Sequence, residues 1–203
     1  MSLRYTLLAL AAAAVLTPVT AALADHHEGG PAPSAAEAAM MEAMQRAAAV
    51  NAPHRRLAEM AGTYEATMQS WGDPSAPPME STMQVRREMT MGGRVLEEHW
   101  TGQIMGMDFH GMGRTGYDNV TGRYWSTWTD NTSTGLFVSY GDWNEEKGMF
   151  EFNGDAIDPV SGGKIPSRMI STFPDENSET MTMFQEMGGK EIKTMAAKIV
   201  RTR

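Results

Sequence analysis

The sequence predicts an all-β fold, an antiparallel up-and-down β-barrel of about ten strands with one or two N-terminal helices. Two observations carry this. From Gly62 onward short runs repeat with a two-residue period, as in Tyr64-Ala66-Met68-Ser70, Met83-Val85-Arg87-Met89, Tyr124-Ser126-Trp128-Asp130 and Met181-Met183-Gln185-Met187. Between the runs stand residues suited to tight turns, among them Gly92-Gly93, Asp118-Asn119, Asn131, Gly148, Gly162-Gly163, Asn177 and Gly188-Gly189. Runs spaced by about 10–12 residues suit a meander closed on itself, and a closed barrel of that size can enclose a small molecule.

The elements follow in order. Arg4 supplies a positive start, Leu7 to Leu16 is apolar, and Ala22-Leu23-Ala24 offers small residues where a signal peptidase reads. Residues 1–24 therefore read as a secretory signal peptide; the apolar stretch is too short for a membrane span, which needs roughly 20 residues. Residues 25–52 read as a linker and N-terminal helix. The linker, Asp25 to Ser34, is polar and rich in His, Gly and Pro, and Ala35 to Val50 has strong helix formers with Ser34 and Glu37 spaced as a capping box. Met40, Met41, Met44 and Ala48 form its apolar stripe. After Asn51-Ala52-Pro53 a second helix is predicted over His54 to Met60, plugging or covering one end of the barrel. Residues 53–203 form the barrel domain, with strands expected at 62–71, 80–91, 94–104, 107–117, 123–130, 134–143, 148–157, 165–173, 179–187 and 190–201. The Pro-rich segment Trp71 to Met79 is the longest loop, expected at an open barrel end.

Composition bounds the partners. The 203 residues carry 17 Lys and Arg against 25 Asp and Glu. Loss of the signal peptide leaves 16 basic against 25 acidic residues, a formal charge of −9. Without a basic cluster larger than Arg55-Arg56 or Arg86-Arg87, nucleic acid and anionic membranes are poor partners. No cysteine occurs, so the chain has no disulfides and no lipoprotein anchor. These features predict a periplasmic or secreted protein, a monomer or weak dimer, with no membrane span.

Several ordered motifs resemble one family. Leu57-Ala58-Glu59-Met60-Ala61-Gly62-Thr63-Tyr64, Met91-Gly92-Gly93-Arg94-Val95-Leu96-Glu97-Glu98, Met105-Gly106-Met107-Asp108-Phe109-His110-Gly111, Gly116-Tyr117-Asp118-Asn119, Ser126-Thr127-Trp128-Thr129-Asp130 and Ser133-Thr134-Gly135 are similar to the bacterial domain family of unknown function 1579 (DUF1579). The resemblance spans about residues 53 to 201; Asp108 stands where family members often carry Pro. It implies a calycin- or lipocalin-like barrel and no activity.

Candidate sites come from alternation and spacing. With Met105-Gly106 as a turn, Thr101 faces His110 and His99 faces Met112. His99, Thr101, Gln103, Asp108, His110 and Met112 then share one face, and Trp100, Ile104, Met107 and Phe109 the other. The apolar set most simply points inward. The alternative turns His99 and His110 inward as metal or haem ligands. A lumenal ligand site is predicted from Trp100, Phe109, Trp128 and Tyr124 as wall, with Asp130 to orient the ligand; Asp130 bonding its own turn is the structural reading. The 19 methionines suit soft Cu(I), with Met105-Gly106-Met107 and Met181-Thr182-Met183 spaced on one face, or simply fill irregular core. Cleavage after Ala24 would free Asp25-His26-His27, whose amine, amides and His27 imidazole make the square-planar nitrogen set that Cu(II) and Ni(II) prefer. No catalytic residues are assigned. No Gly-x-Ser-x-Gly elbow, phosphate loop or His-Glu-x-x-His motif occurs, and the strand carboxylates, Glu97 and Glu98 among them, are expected on the wet face. The function predicted is a barrel binding a small hydrophobic or amphipathic molecule. The alternatives are an enzyme acting on a lipid-like substrate in the same cavity, or a metal- or haem-binding periplasmic protein.

Overall fold

The computed structural model describes residues 33–202. The predicted signal peptide and the Asp25-His26-His27 terminus lie outside them. The chain divides into two units, Met1–Met40 and Met41–Arg203. In the first, α1 (Ala35–Ala48) begins at the expected capping box: the Ser34 N–H donates to Glu37 Oε2 at 2.8 Å, and the Glu37 N–H to Ser34 Oγ at 3.3 Å. All of α1 is exposed, including the stripe of Met40, Met41 and Met44.

The second unit holds α2 (Ala52–Glu59) and ten strands: β1 (Gly62–Ser70), β2 (Met79–Thr90), β3 (Val95–Ile104), β4 (Met107–Asp118), β5 (Arg123–Asp130), β6 (Phe137–Asn144), β7 (Met149–Ile157), β8 (Lys164–Asp175), β9 (Ser178–Met187) and β10 (Lys190–Arg201). Each pairs antiparallel with its sequence neighbours, and β1 pairs with β10 to close the barrel. The up-and-down barrel read from alternation is the fold observed. The helix after Asn51 starts earlier than expected, because Pro53 sits in its first turn, where a missing N–H costs nothing. Positions 134–136 are irregular backbone, so β6 starts three residues later than expected.

The alternation becomes an inside and an outside. Tyr64, Ala66 and Met68 of β1, Met83 and Val85 of β2, Trp100, Phe109, and Ala197 and Ile199 of β10 form one buried cluster. Leu57 of α2 joins Leu96, Tyr124, Phe150 and Phe152 in a second. The Met105-Gly106 turn has φ of 53° and 77°, the pair of positive angles that a two-residue hairpin of this twist requires.

α2 is tied down by polar groups. Asn119, in the β4–β5 turn, directs its amide Nδ2 to the carbonyls of Arg46, Ala47 and Ala49 at 3.1, 3.1 and 2.7 Å, satisfying acceptors left open where α1 ends. Its Oδ1 accepts from Asn51 Nδ2 at 2.6 Å. His54 is buried against Tyr117, ring edge to ring face at 5.8 Å.

Candidate functional site

α2 packs against β2, β3 and β4. It therefore covers one side of the barrel mouth, and a cavity of about 640 Å3 opens on the other. Trp143 of β6, Phe150 of β7 and Phe173 of β8 form its apolar wall, their rings in mutual contact at centroid distances of 4.8 to 6.0 Å. Arg56 and Glu59 of α2 form part of the rim, and the β8–β9 turn, Asp175 to Ser178, forms another part.

Arg87 and Glu179 form the floor. Arg87 is 5% exposed, donates from Nη1 to Glu179 Oε2 at 2.7 Å, and from Nε to Glu98 Oε2 at 3.0 Å. Burial alone would lower the guanidinium pKa; the Glu179 and Glu98 carboxylates outweigh it and hold the group protonated above its ordinary range. The room for Glu98 comes from Gly113, directly opposite it on β4: a Cβ there would lie 2.6 Å from Glu98 Oε1. Two guanidinium groups approach the Tyr64 ring, Arg87 at 5.0 Å and Arg201 at 4.7 Å from its centre, and Tyr64 donates its hydroxyl to the Met60 carbonyl at 2.8 Å. Burial raises its pKa, more than the two arginines lower it.

The rim is polar in a different way. Arg201 spends its Nη1 and Nη2 donors on the carbonyls of Ala61 and Glu59, at 2.7 and 2.9 Å, and pairs with no carboxylate among the described residues. Arg56 stacks over Trp143 at 4.5 Å and meets the exposed Glu145 at 2.7 Å. An apolar aromatic wall facing fixed guanidinium groups suits a molecule with one apolar and one polar end.

The predicted site residues fall elsewhere. Trp100, Phe109, Trp128 and Asp130 come together inside the barrel, with the rings of Trp100 and Trp128 at 6.1 Å, but none of them lines the mouth cavity. Asp130 accepts from Trp128 Nε1 at 2.8 Å, and from the N–H and hydroxyl of Thr132 at 2.9 and 2.6 Å, so its oxygens are spent on its own neighbours. Tyr124 belongs to the other cluster, packed on Tyr117 and Phe150. Trp100 Nε1 is buried without a hydrogen-bond partner among the described residues. The expected hairpin register is the one found, Thr101 opposite His110 and His99 opposite Met112. It faces Trp100 and Phe109 inward; Met107, of the same phase but next to the Met105-Gly106 turn, is exposed. His99 and His110 are on the outer surface, His99 Nε2 lying 3.0 Å from Glu97 Oε1. Among the described residues no three His, Cys, Asp or Glu side chains cluster as a metal site.

Sequence reasoning missed Arg87, Glu98, Glu179 and Arg201. The signal was present in the alternation of all four strands. Arg87 has the phase of Met83 and Val85, Glu98 that of Leu96 and Trp100, Glu179 that of Met181 and Met183, and Arg201 that of Ala197 and Ile199, so each was already on an inward face. Glu98 corrects the expectation of a wet-face carboxylate: it points inward, where Gly113 leaves space and Arg87 supplies the countercharge.

Residues 49–201 match the family described as "Protein of unknown function (DUF1579)". No curated protein matches the chain. Among solved structures it is similar to "Crystal Structure of Rv2717c from M. tuberculosis", with a TM-score of 0.56 and 13% identity over 76% of this chain and 100% of that one. At that identity the likeness concerns the fold alone.

Proposed function

The chain belongs to the DUF1579 family, and from the geometry of its barrel mouth we propose that it binds a small amphipathic molecule there. One observation carries the reading: a cavity of about 640 Å3 with an aromatic wall on one side and arginines on the other. Small-molecule sites commonly occupy about 300–1,000 Å3, mostly apolar with a few placed polar groups. The apolar end of the ligand packs on Trp143, Phe150 and Phe173, and its polar end meets Arg201 or the Arg87–Glu179 floor. The expected class of ligand is unchanged from the sequence reading, but its place moves from the Trp100–Trp128 region to the end beside α2.

Native mass spectrometry and thermal shift against dodecanoic acid, dodecanol and dodecyltrimethylammonium test this. Binding of at least one probe that Phe173→Glu abolishes and Trp128→Phe leaves intact is the expected result. Failure of all three, or binding insensitive to Phe173→Glu, would remove the mouth as the site.

The reading includes export. Arg4, the apolar Leu7 to Leu16 and Ala22-Leu23-Ala24 support cleavage after Ala24. N-terminal sequencing of protein released by osmotic shock is expected to begin at Asp25, and a mature chain that keeps Met1 would overturn this part.

A further inference from the structure

The lumen also carries a row of thioethers that the mouth site does not use. Met169 of β8 is the direct ladder partner of Met183 of β9, and Met183 is the direct partner of Met195 of β10. Directly opposed side chains on one face have Cβ atoms about 4.5–5.5 Å apart, so three flexible thioethers on adjacent strands reach a common point. Met181, two residues from Met183, shares the face and packs with Met195 against the first buried cluster. All four face the interior yet are only partly buried, and none lines the mouth cavity.

A backbone irregularity produces this alignment. Lys193 pairs with Phe184, and an undisturbed ladder would next set Thr194 against Met183. The register instead shifts between Lys193 and Met195, so Met195 takes the inward position opposite Met183. Thr194 is the extra residue, its hydroxyl 3.4 Å from the Met183 carbonyl and its own carbonyl accepting from the Trp71 N–H at 2.9 Å. A bulge re-aims a side chain in this way. Without it the row would end at two methionines.

We infer that Met169, Met183 and Met195, with Met181 beside them, form a binding site for a soft monovalent cation of the Cu(I) class. Thioether sulfur is a soft donor that favours Cu(I) over the hard divalent ions, which need oxygen ligands. A neutral sulfur set also suits a single positive charge better than a double one, because the desolvation cost of the ion is smaller.

The test uses the mature chain with Ag(I) as an air-stable probe in native mass spectrometry, and Cu(I) in competition with bicinchoninate. Met183→Leu with Met195→Leu conserves core volume, and melting followed by circular dichroism confirms folding. The double variant is expected to bind one Ag(I) equivalent fewer than the unaltered chain and to lose competition for Cu(I). Met105→Leu with Met107→Leu, at exposed positions of the β3–β4 tip, is expected to change neither readout. Equal Ag(I) and Cu(I) uptake by the unaltered chain and the folded Met183/Met195 variant would overturn the site, as would loss of the ion on changing Met105 and Met107.

Discussion

Arg87 and Glu179, 92 residues apart in sequence, meet at 2.7 Å inside the barrel with side chains only 3% and 4% exposed. Such a pair contributes little net stability over an apolar replacement, but removing one partner strands the other in a low-dielectric interior. Arg87→Met leaves both Glu98 and Glu179 without their guanidinium and is expected to cost about 3–5 kcal/mol by urea unfolding. Adding Glu98→Gln and Glu179→Gln should recover much of the loss. A single Arg87→Met variant as stable as the unaltered chain would refute a buried, charged floor.

Gly113 supports the same triad from the facing strand. Its missing side chain is the space Glu98 occupies, so Gly113→Ala is expected to push Glu98 off Arg87 and cost about 1–3 kcal/mol. The coupling is the sharper readout. In a Glu98→Ala background the added methyl meets empty space, and the cost of Gly113→Ala should largely vanish. Additive costs would place the strain elsewhere, for instance in the backbone of β4.

The barrel was legible because one face of most strands is repeatedly apolar, and the period of two survives even where single residues break it. Met83-Val85-Arg87 shows both sides of this. The phase of the strand is set by Met83 and Val85, and Arg87 inherits their inward direction regardless of its charge. The site was less legible because polarity at a single position does not reveal the partner that makes burial tolerable. That partner, Glu179, comes from a hairpin on the far side of the barrel closure. Nor does sequence show which end of the lumen stays open. That depends on α2 packing over β2, β3 and β4 while only its Arg56 and Glu59 reach the rim on the Trp143 side. The alignment of Met195 with Met183 depends on a bulge that ideal alternation does not contain.

His54 makes the structure sensitive to acid. Its burial, the largest cause, and the nearby Arg94 charge lower its pKa from 6.5, more than the Tyr117 carbonyl raises it. The folded chain then binds fewer protons at this ring than the unfolded chain. Its contribution to stability is complete above about pH 6.5 and is lost as pH falls toward the lowered native value. Because Asn51 holds the same ring at 2.8 Å, the loss should appear as loosening of α2. Urea midpoints measured at about pH 7.5 and about pH 5.5 should differ less in His54→Gln than in the unaltered chain. An unchanged pH slope in the variant would assign the acid response to other groups.

Asp130 separates the two places where a ligand has been considered. Burial raises its pKa, but the hydrogen bonds from Thr132 and Trp128 outweigh it and leave the carboxyl below its ordinary value of 3.8. Its stabilising contribution is therefore present above that value and lost as pH falls through the lowered one. Asp130→Ala removes the acceptor for Trp128 Nε1 and for the Thr132 amide, and about 1–3 kcal/mol of stability is expected to go with it. Binding of an amphipathic probe at the mouth should persist in the folded variant, since Asp130 does not line that cavity. If Asp130→Ala abolishes probe binding while Phe173→Glu does not, the ligand sits against Trp100, Phe109 and Trp128, and the aromatic wall beside α2 is only core.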